Sequence, residues 1–306
     1  MLGVRNSRRI DAPSPVIATE AFSQESCNAS SEESYYEAYF GLGHVLRLVD
    51  RPGVFKLSPA GLALGDYLVR SVDPRGLRGP VLDMGTGSGA LALLLRNIGV
   101  RSIVAMDISA AAVKAAMENE LLNFPDSRIA FHEGSLFEGP ATNGPFDLIV
   151  FNPPGWRTPS ATCRRDLAAD RAAGLDLSAM FSGEKVLLEF LLALPRHLAP
   201  AGRAVIGLNS LTGIRSVMSE LMDRSGGNTA VDLRLIERHS FPLFLYTRQW
   251  QASRDILLAE FQRWREKAGA AFSITADGTL YWSYEIVECR LKHPYEGART
   301  CLPRPE

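Results

Sequence analysis

Short apolar runs alternate with helical patterns through the middle of the chain. The runs that predict strands cover residues 81–84, 103–106, 128–132, 146–151, 203–208 and 231–236. Among them, residues 90–95, 110–122, 184–198 and 214–222 carry apolar side chains at helical spacing. Such alternation is typical of βαβ units, in which parallel strands are buried under helices on both faces. The pattern therefore predicts an α/β fold built on a doubly wound sheet.

The N-terminal quarter of the chain does not follow this alternation. Residues 1–31 are polar and contain prolines and serines, which predicts a flexible arm. Residues 34–49 are rich in aromatic and apolar side chains, and we interpret them as a helix. Ser58-Pro59 predicts the start of a second helix, because serine caps helices and proline suits the first turn. We expect residues 32–78 to form a helical cap over the substrate or, alternatively, two helices packed on the sheet; residues 79–306 are assigned to the α/β domain.

Three alternating glycines, Gly85, Gly87 and Gly89, follow the first predicted strand and precede a helix. Glycine permits a tight turn and a close approach of the backbone to a ligand, and the helix N-terminus presents free N–H groups. The spacing differs from the dinucleotide pattern G-x-G-x-x-G, since the third glycine comes one residue early and is followed by Ala90. This difference disfavours a nucleotide-dependent oxidoreductase.

Polar residues end two later strands. Asp107 lies about twenty residues beyond the glycine turn, where a carboxylate can accept both hydroxyl groups of a ribose. The fourth predicted strand leads directly into Asn152-Pro153-Pro154-Gly155-Trp156. Asn, Pro and Gly also form plain turns, so a purely structural turn is the alternative. The position of the motif directly after a strand favours a functional role.

The order of these features resembles that of class I S-adenosylmethionine (SAM)-dependent methyltransferases. It is most similar to the branch with an Asn-Pro-Pro-aromatic motif, which includes release-factor glutamine methyltransferases and rRNA guanine-N2 methyltransferases. The resemblance covers residues 79–208. It implies SAM as the cofactor and a Rossmann-like, seven-stranded sheet whose last strand, residues 281–289, is antiparallel. On this assignment, we expect an insertion before that strand, covering about residues 240–270.

The resemblance also implies which residues form the site. Asn152 and Pro153 are expected to be catalytic. The side-chain oxygen of Asn152 and the backbone carbonyl of Pro153 can accept hydrogen bonds from the N–H groups of the nitrogen that receives the methyl group. Pro154, Gly155 and Trp156 are expected to contact the substrate. The expected SAM-binding residues are Asp83, Gly85, Thr86, Gly87, Gly89, Asp107, Ile108, Ser135, Leu136 and Asn152.

Two positions depart from the family pattern. Ser135 stands where relatives usually carry an aspartate that accepts the adenine amino group, and a hydroxyl accepts that bond without charge. Gly155 stands where relatives have the aromatic residue, and the aromatic Trp156 follows one position later. Either Trp156 covers the substrate in its place, or the pocket is open to a bulkier acceptor.

Composition and charge narrow the substrate class. The chain has 306 residues and a formal net charge of −1, so no overall basic field attracts a polyanion such as RNA. Its four cysteines form no C-x-x-C pair and its five histidines form no cluster, so no metal site is predicted. Reduced thiols suit the cytoplasm, and the apolar runs are too short to span a bilayer.

The sequence thus predicts a cytoplasmic methyltransferase that acts on a nitrogen of a small metabolite or of a peptide or protein side chain. The first alternative is an rRNA or tRNA guanine-N2 methyltransferase, which the charge disfavours. The second is a binding protein that keeps the SAM fold without turnover, which Ser135 and Gly155 leave open. The oligomeric state is not predicted.

Overall fold

The computed structural model describes residues 34–169, 180–243, 251 and 253–292. The described strands are β1 (Tyr35–Tyr39), β2 (Val45–Val49), β3 (Val81–Met84), β4 (Ile103–Asp107), β5 (Ala130–Glu133), β6 (Phe146–Phe151), β7 (Leu198–Asn209), β8 (Val231–Pro242), β9 (Phe272–Ile274) and β10 (Leu280–Leu291). The described α-helices are α1 (Pro59–Ser71), α2 (Ala90–Asn97), α3 (Ala110–Asn123), α4 (Ala161–Ala169), α5 (Gly183–Ala193), α6 (Ile214–Arg224) and α7 (Arg254–Ala268).

The main sheet has the strand order β5-β4-β3-β6-β7-β10-β8. The first five of these strands pair in parallel, while β10 is antiparallel to both β7 and β8. Short β9 pairs with the first residues of β10. The predicted doubly wound sheet with an antiparallel last strand is confirmed.

Apolar side chains on the two faces of the sheet enter different cores. Leu148, Val150 and Val205 face α1 and α2, while Ile149 and Ile206 face α5 and α6. Strands buried on both sides read as continuous apolar runs, which is why the sequence revealed them. Glycine-free stretches of leucine in α2 and α5 supply the matching helix surfaces.

The prediction of a helix at residues 34–49 is wrong, because β1 and β2 form an antiparallel hairpin there. Burial alternates along both strands, with Ala38 and Leu46 inside and Tyr39 outside. Gly41 and Gly43 take positive φ angles in the connecting turn, which helical backbone does not allow. The second predicted helix is confirmed as α1. The arm predicted for residues 1–31 lies outside the described residues.

Two asparagines of α3 join the hairpin to the domain. Asn119 is fully buried; its Oδ1 accepts the Val49 N–H (2.7 Å) and its Nδ2 donates to the Ser88 carbonyl (2.8 Å). Asn123 makes the equivalent pair of bonds to the backbone N–H and C=O of Arg47, at 2.8 and 2.7 Å. Because Ser88 belongs to the glycine turn, Asn119 connects the hairpin to the turn through a single side chain.

The segment between β8 and β10 contains α7 and β9, in agreement with the predicted insertion, although β8 extends further than expected. The Asp277-Gly278 turn joins β9 to β10 as predicted, with Gly278 at φ +82°. Among the described helices, none combines the length and the apolar character needed to cross a bilayer.

Replacing Asn119 tests the link between hairpin and glycine turn. Asn119→Ala leaves a buried N–H and a buried carbonyl unpaired, so we expect it to lower the free energy of unfolding by about 2–4 kcal/mol. Asn123→Ala is the matched control and should cost less than about 1 kcal/mol, because its bonds to Arg47 are exposed to water. Urea unfolding measures both; equal losses would contradict the importance of the buried link.

Candidate active site

The glycine turn after β3 has the geometry of a ligand cradle. Gly85, Gly87 and Gly89 all take positive φ angles, at +64°, +55° and +81°. A Cβ on Gly89 would lie 2.8 Å from the Cβ of Ala116, so that position requires glycine for space as well. The space beside Gly87 is open, because nothing lies within 4 Å of where its Cβ would be. The turn thus exposes backbone to an incoming ligand ahead of α2.

Asp83 stabilises the glycine turn through hydrogen bonds from its buried side chain. The carboxylate is buried, and its Oδ2 accepts the Thr86 hydroxyl (2.6 Å) and the Ala92 N–H (3.1 Å). Its Oδ1 is buried without a hydrogen-bond partner. Burial raises the pKa of Asp83 to about 7, and the negative charge of Asp107 adds a small increase. The two hydrogen bonds to Asp83 lower its pKa, but by less than burial raises it.

Asp107 lies beside the turn at the end of β4. Its Oδ2 accepts the Gly87 N–H (2.8 Å) and its Oδ1 accepts the Ser109 N–H (2.9 Å). The carboxylate is therefore oriented by backbone on both oxygens while its remaining lone pairs stay available. The next residue, Ile108, is 73% exposed, so its apolar side chain is accessible beside the turn.

The loop after β5 comes to the same place. The Gly134 N–H donates to the carbonyl of Asp107 (2.9 Å), and the Glu138 N–H donates to the carbonyl of Ser135 (3.0 Å). Leu136 takes a positive φ of 45°, and both Ser135 and Leu136 are half-buried. The predicted cofactor residues on three neighbouring strand ends are thus brought together at one edge of the sheet.

Asn152 follows β6 at this edge and is half-buried. Its Oδ1 accepts a hydrogen bond of 2.8 Å from the hydroxyl of Tyr284 on β10. Sequence analysis missed Tyr284, which lies 132 residues away along the chain. The sequence feature that could have indicated this contact is Gly207, because a glycine inside an apolar strand often marks a close approach by another group.

Trp156, which was predicted to contact the substrate, lies in a buried aromatic cluster in the structure. Its side chain is only 2% exposed and packs edge-on against Phe181 and Phe261, with ring centroids 5.6 and 5.2 Å away. The prediction that Gly155 opens the pocket also changes. A Cβ there would lie 2.5 Å from the Nδ2 of Asn209, so glycine is needed for close packing against that side chain.

The loop that carries the motif is firmly braced. The Trp156 N–H donates to the carbonyl of Met180 (2.9 Å), and the Gly183 N–H donates to the carbonyl of Trp156 (2.8 Å). Further along, Ser160 donates from both its N–H and its hydroxyl to the buried carboxylate of Glu260 on α7, each at 2.8 Å. The insertion thus supports the loop that follows Asn152.

These groups fit a nucleoside. Backbone N–H groups and the carboxylate of Asp107 suit a ribose, and Ile108 offers an apolar surface for a base. Within the described residues, no group of three His, Cys, Asp or Glu side chains is arranged to hold a metal ion.

Residues 70–153 match the family model described as ribosomal protein L11 methyltransferase (PrmA). The chain is also 34% identical over 141 residues to a putative protein N5-glutamine methyltransferase of Methanocaldococcus jannaschii, covering 46% of this chain and 67% of that protein. The chain belongs to the class I SAM-dependent methyltransferases. This methyltransferase therefore takes SAM as its cofactor, and the resemblance on the Asn-Pro-Pro motif is confirmed.

Two other similarities are either more local or lower in sequence identity. A release factor glutamine methyltransferase of Deinococcus radiodurans is 49% identical over 75 residues, which is 24% of this chain and only 26% of that protein. The 16S rRNA N2-guanine methyltransferase RsmC of T. thermophilus, solved with AdoMet and guanosine, superposes with a TM-score of 0.51 at 19% identity. That match covers 88% of the present chain and 53% of the RsmC chain, and it shows only that the two share a fold.

Removing the Asp107 carboxylate should weaken SAM binding by roughly 1–3 kcal/mol, because charge-assisted hydrogen bonds are lost. Calorimetry on Asp107→Ala measures the change. Glu133→Ala is the control, since Glu133 pairs with Asp107 across β4 and β5 but is exposed. Equal weakening in both variants, or no SAM binding by the native chain, would contradict the assignment.

The raised pKa of Asp83 predicts a pH-dependent stability. The unfolded carboxyl loses its proton near pH 4, whereas the folded one keeps it up to about pH 7. The folded state binds the extra proton, so stability falls as the pH rises from 4 to 7, by at most about 1.4 kcal/mol per pH unit. Urea unfolding of SAM-free protein at pH 5 and pH 8 should show this loss, and Asp83→Asn should remove it. An unchanged difference in the variant would disprove the account.

Proposed function

We propose that the methyltransferase transfers a methyl group to the amide nitrogen of a glutamine side chain in a protein or peptide. The observation that carries the proposal is the pairing of β3 with β6, which aligns Met84 with Phe151. Gly85 of the cofactor turn and Asn152 of the acceptor motif therefore leave the sheet side by side. The names of the M. jannaschii and D. radiodurans relatives support glutamine as the acceptor.

The chemistry of an amide explains why such a motif is useful. The lone pair of an amide nitrogen is delocalised, so the nitrogen is a poor nucleophile. Oxygens that accept its N–H bonds, here Asn152 Oδ1 and the Pro153 carbonyl, favour the geometry and the charge that develop in the transition state. Pro153 and Pro154 fix their φ angles, which keeps these oxygens in place. SAM supplies an activated methyl group on its sulfonium.

The N-terminal segment belongs, in our proposal, to the catalytic domain. Phe40, Leu46 and Leu48 of the hairpin share one buried cluster with α1, α2 and the α1 face of the sheet. We therefore propose residues 34–292 as a single domain that includes the assigned α/β region, in place of a separate substrate cap. We also propose a cytoplasmic location, which the unpaired thiols of Cys163 and Cys289 support.

Methylation of rRNA or tRNA is the second candidate. The similarity to RsmC favours it only at the level of fold, and the net charge of −1 opposes it. A small metabolite remains the third candidate acceptor. The three classes separate physically, so tritium-labelled SAM incubated with cell extract assigns the methyl group to a protein, RNA or metabolite fraction.

The variant Asn152→Ala tests the catalytic assignment. We expect turnover to fall by about two orders of magnitude or more, because a preorganised contact of the transition state is lost, while SAM affinity stays nearly unchanged. Single-turnover labelling of the protein fraction measures the rate, and calorimetry measures the affinity. Acid hydrolysis of labelled protein should release methylated amine from glutamine.

The same experiment contains the outcomes that would overturn the proposal. Label in the RNA fraction that disappears in Asn152→Ala and falls steeply with salt would establish the RNA candidate instead. An unchanged single-turnover rate in Asn152→Ala would make the motif a structural turn.

A further inference from the structure

Tyr284 and Asn152 meet across an intervening strand. Asn152 follows β6, Tyr284 lies on β10, and β7 runs between the two. The phenol hydroxyl nevertheless reaches Asn152 Oδ1 at 2.8 Å. The side chain of Tyr284 must therefore pass over the backbone of β7.

Gly207 makes this passage possible. A Cβ on Gly207 would lie 1.7 Å from the Tyr284 hydroxyl oxygen and 2.3 Å from its Cζ, so no other residue type fits beneath the ring. The φ angle of Gly207 is not positive, and glycine is therefore required there for space. The contact between Tyr284 and Asn152 thus depends on a glycine in the strand between them.

The ring of Tyr284 is held rigidly. It is 2% exposed and packs near Phe241 and Trp282, with ring centroids 6.4 and 6.1 Å away. Burial raises the pKa of Tyr284 far above its usual range, so the phenol remains protonated. A protonated hydroxyl facing a carboxamide oxygen is a hydrogen-bond donor.

A carboxamide presents an oxygen at one end and an NH₂ group at the other, and its terminal torsion is soft. In the structure the oxygen end of the carboxamide faces Tyr284 and accepts the proton of its hydroxyl, and this hydrogen bond favours that orientation. One lone pair of Oδ1 then remains for another donor. A methyl acceptor that binds to this lone pair must therefore donate a hydrogen bond from an N–H or O–H group.

We propose that Tyr284 is a positioning residue for Asn152, and that Gly207 is the structural condition for its action. The hydroxyl holds the Asn152 carboxamide with its free lone pair available to an acceptor N–H. The expected effect of Tyr284 on catalysis rests on the proposed function, whereas its expected effect on the orientation of the Asn152 carboxamide does not. The two parts are therefore tested separately.

Nuclear magnetic resonance tests the orientation without any acceptor. The full chain is labelled with ¹⁵N-asparagine, and the side-chain signals of Asn152 are assigned by their loss in Asn152→Ala. Tyr284→Phe removes only the hydroxyl, and we expect it to shift the Asn152 signals and increase their fast motion. Tyr281→Phe, on the same strand, is the matched control and should leave them unchanged. Unchanged Asn152 signals in Tyr284→Phe would overturn the proposal.

Kinetics test the consequence for catalysis, with a library of short glutamine-containing peptides and labelled SAM as the probe. Tyr284→Phe should lower kcat about tenfold and leave SAM affinity within about twofold. In the Asn152→Ala background it should have no further effect, since the two residues act as a unit. Additive effects, or a kcat within about twofold of native, would refute positioning.

Failure of the proposed function gives a different result. Native protein that methylates no peptide of the library would count against glutamine as the acceptor, while the resonance experiment still decides the role of Tyr284. Gly207→Ala supplies a second variant for that experiment, because its Cβ displaces the ring. It should reproduce the Asn152 signals of Tyr284→Phe, and native-like signals would contradict the proposal.

Discussion

Parallel pairing of β3 with β4 on one side and β6 on the other is the constraint on which the site depends. Parallel strands point their carboxyl ends to the same edge of the sheet, so the groups that follow them gather there. Gly85, Asp107 and Asn152 are far apart in sequence and owe their proximity to this pairing. The helices and the hairpin serve to keep these strands buried and therefore paired.

The parts of the fold and site that sequence predicted are those with local signals. Buried parallel strands read as apolar runs, and the glycine turn and Asp107 stand at fixed distances from them. The hairpin was missed because the apolar positions of so short a segment also match helical spacing, although aromatic residues favour strands and the glycines at 41 and 43 favour a turn. The packing of Trp156 and the contact of Tyr284 with Asn152 were not predicted, because both depend on residues more than twenty positions away.

The acceptor loop gains its rigidity from a part of the chain outside the shared core. Trp156 enters a cluster formed with Phe181, Leu211 and the α7 residues Phe261 and Trp264. Glu260 of the same helix holds Ser160. The aromatic residue after the Asn-Pro-Pro motif thus anchors the loop, whereas relatives are expected to present it to the substrate. The insertion thus accounts for the packing of Trp156, whereas Gly155 is required by the close approach of Asn209 at the end of β7.

The asparagines of α3 have a consequence for how the hairpin meets other chains. In β2, Arg47 and Val49 direct their backbone groups away from β1, as the open edge of a strand does. Asn123 satisfies both groups of Arg47, and Asn119 satisfies the N–H of Val49. Carboxamides here take the place of a neighbouring strand and protect the edge against unwanted β-sheet aggregation. A further strand joining this hairpin would have to pair with β1.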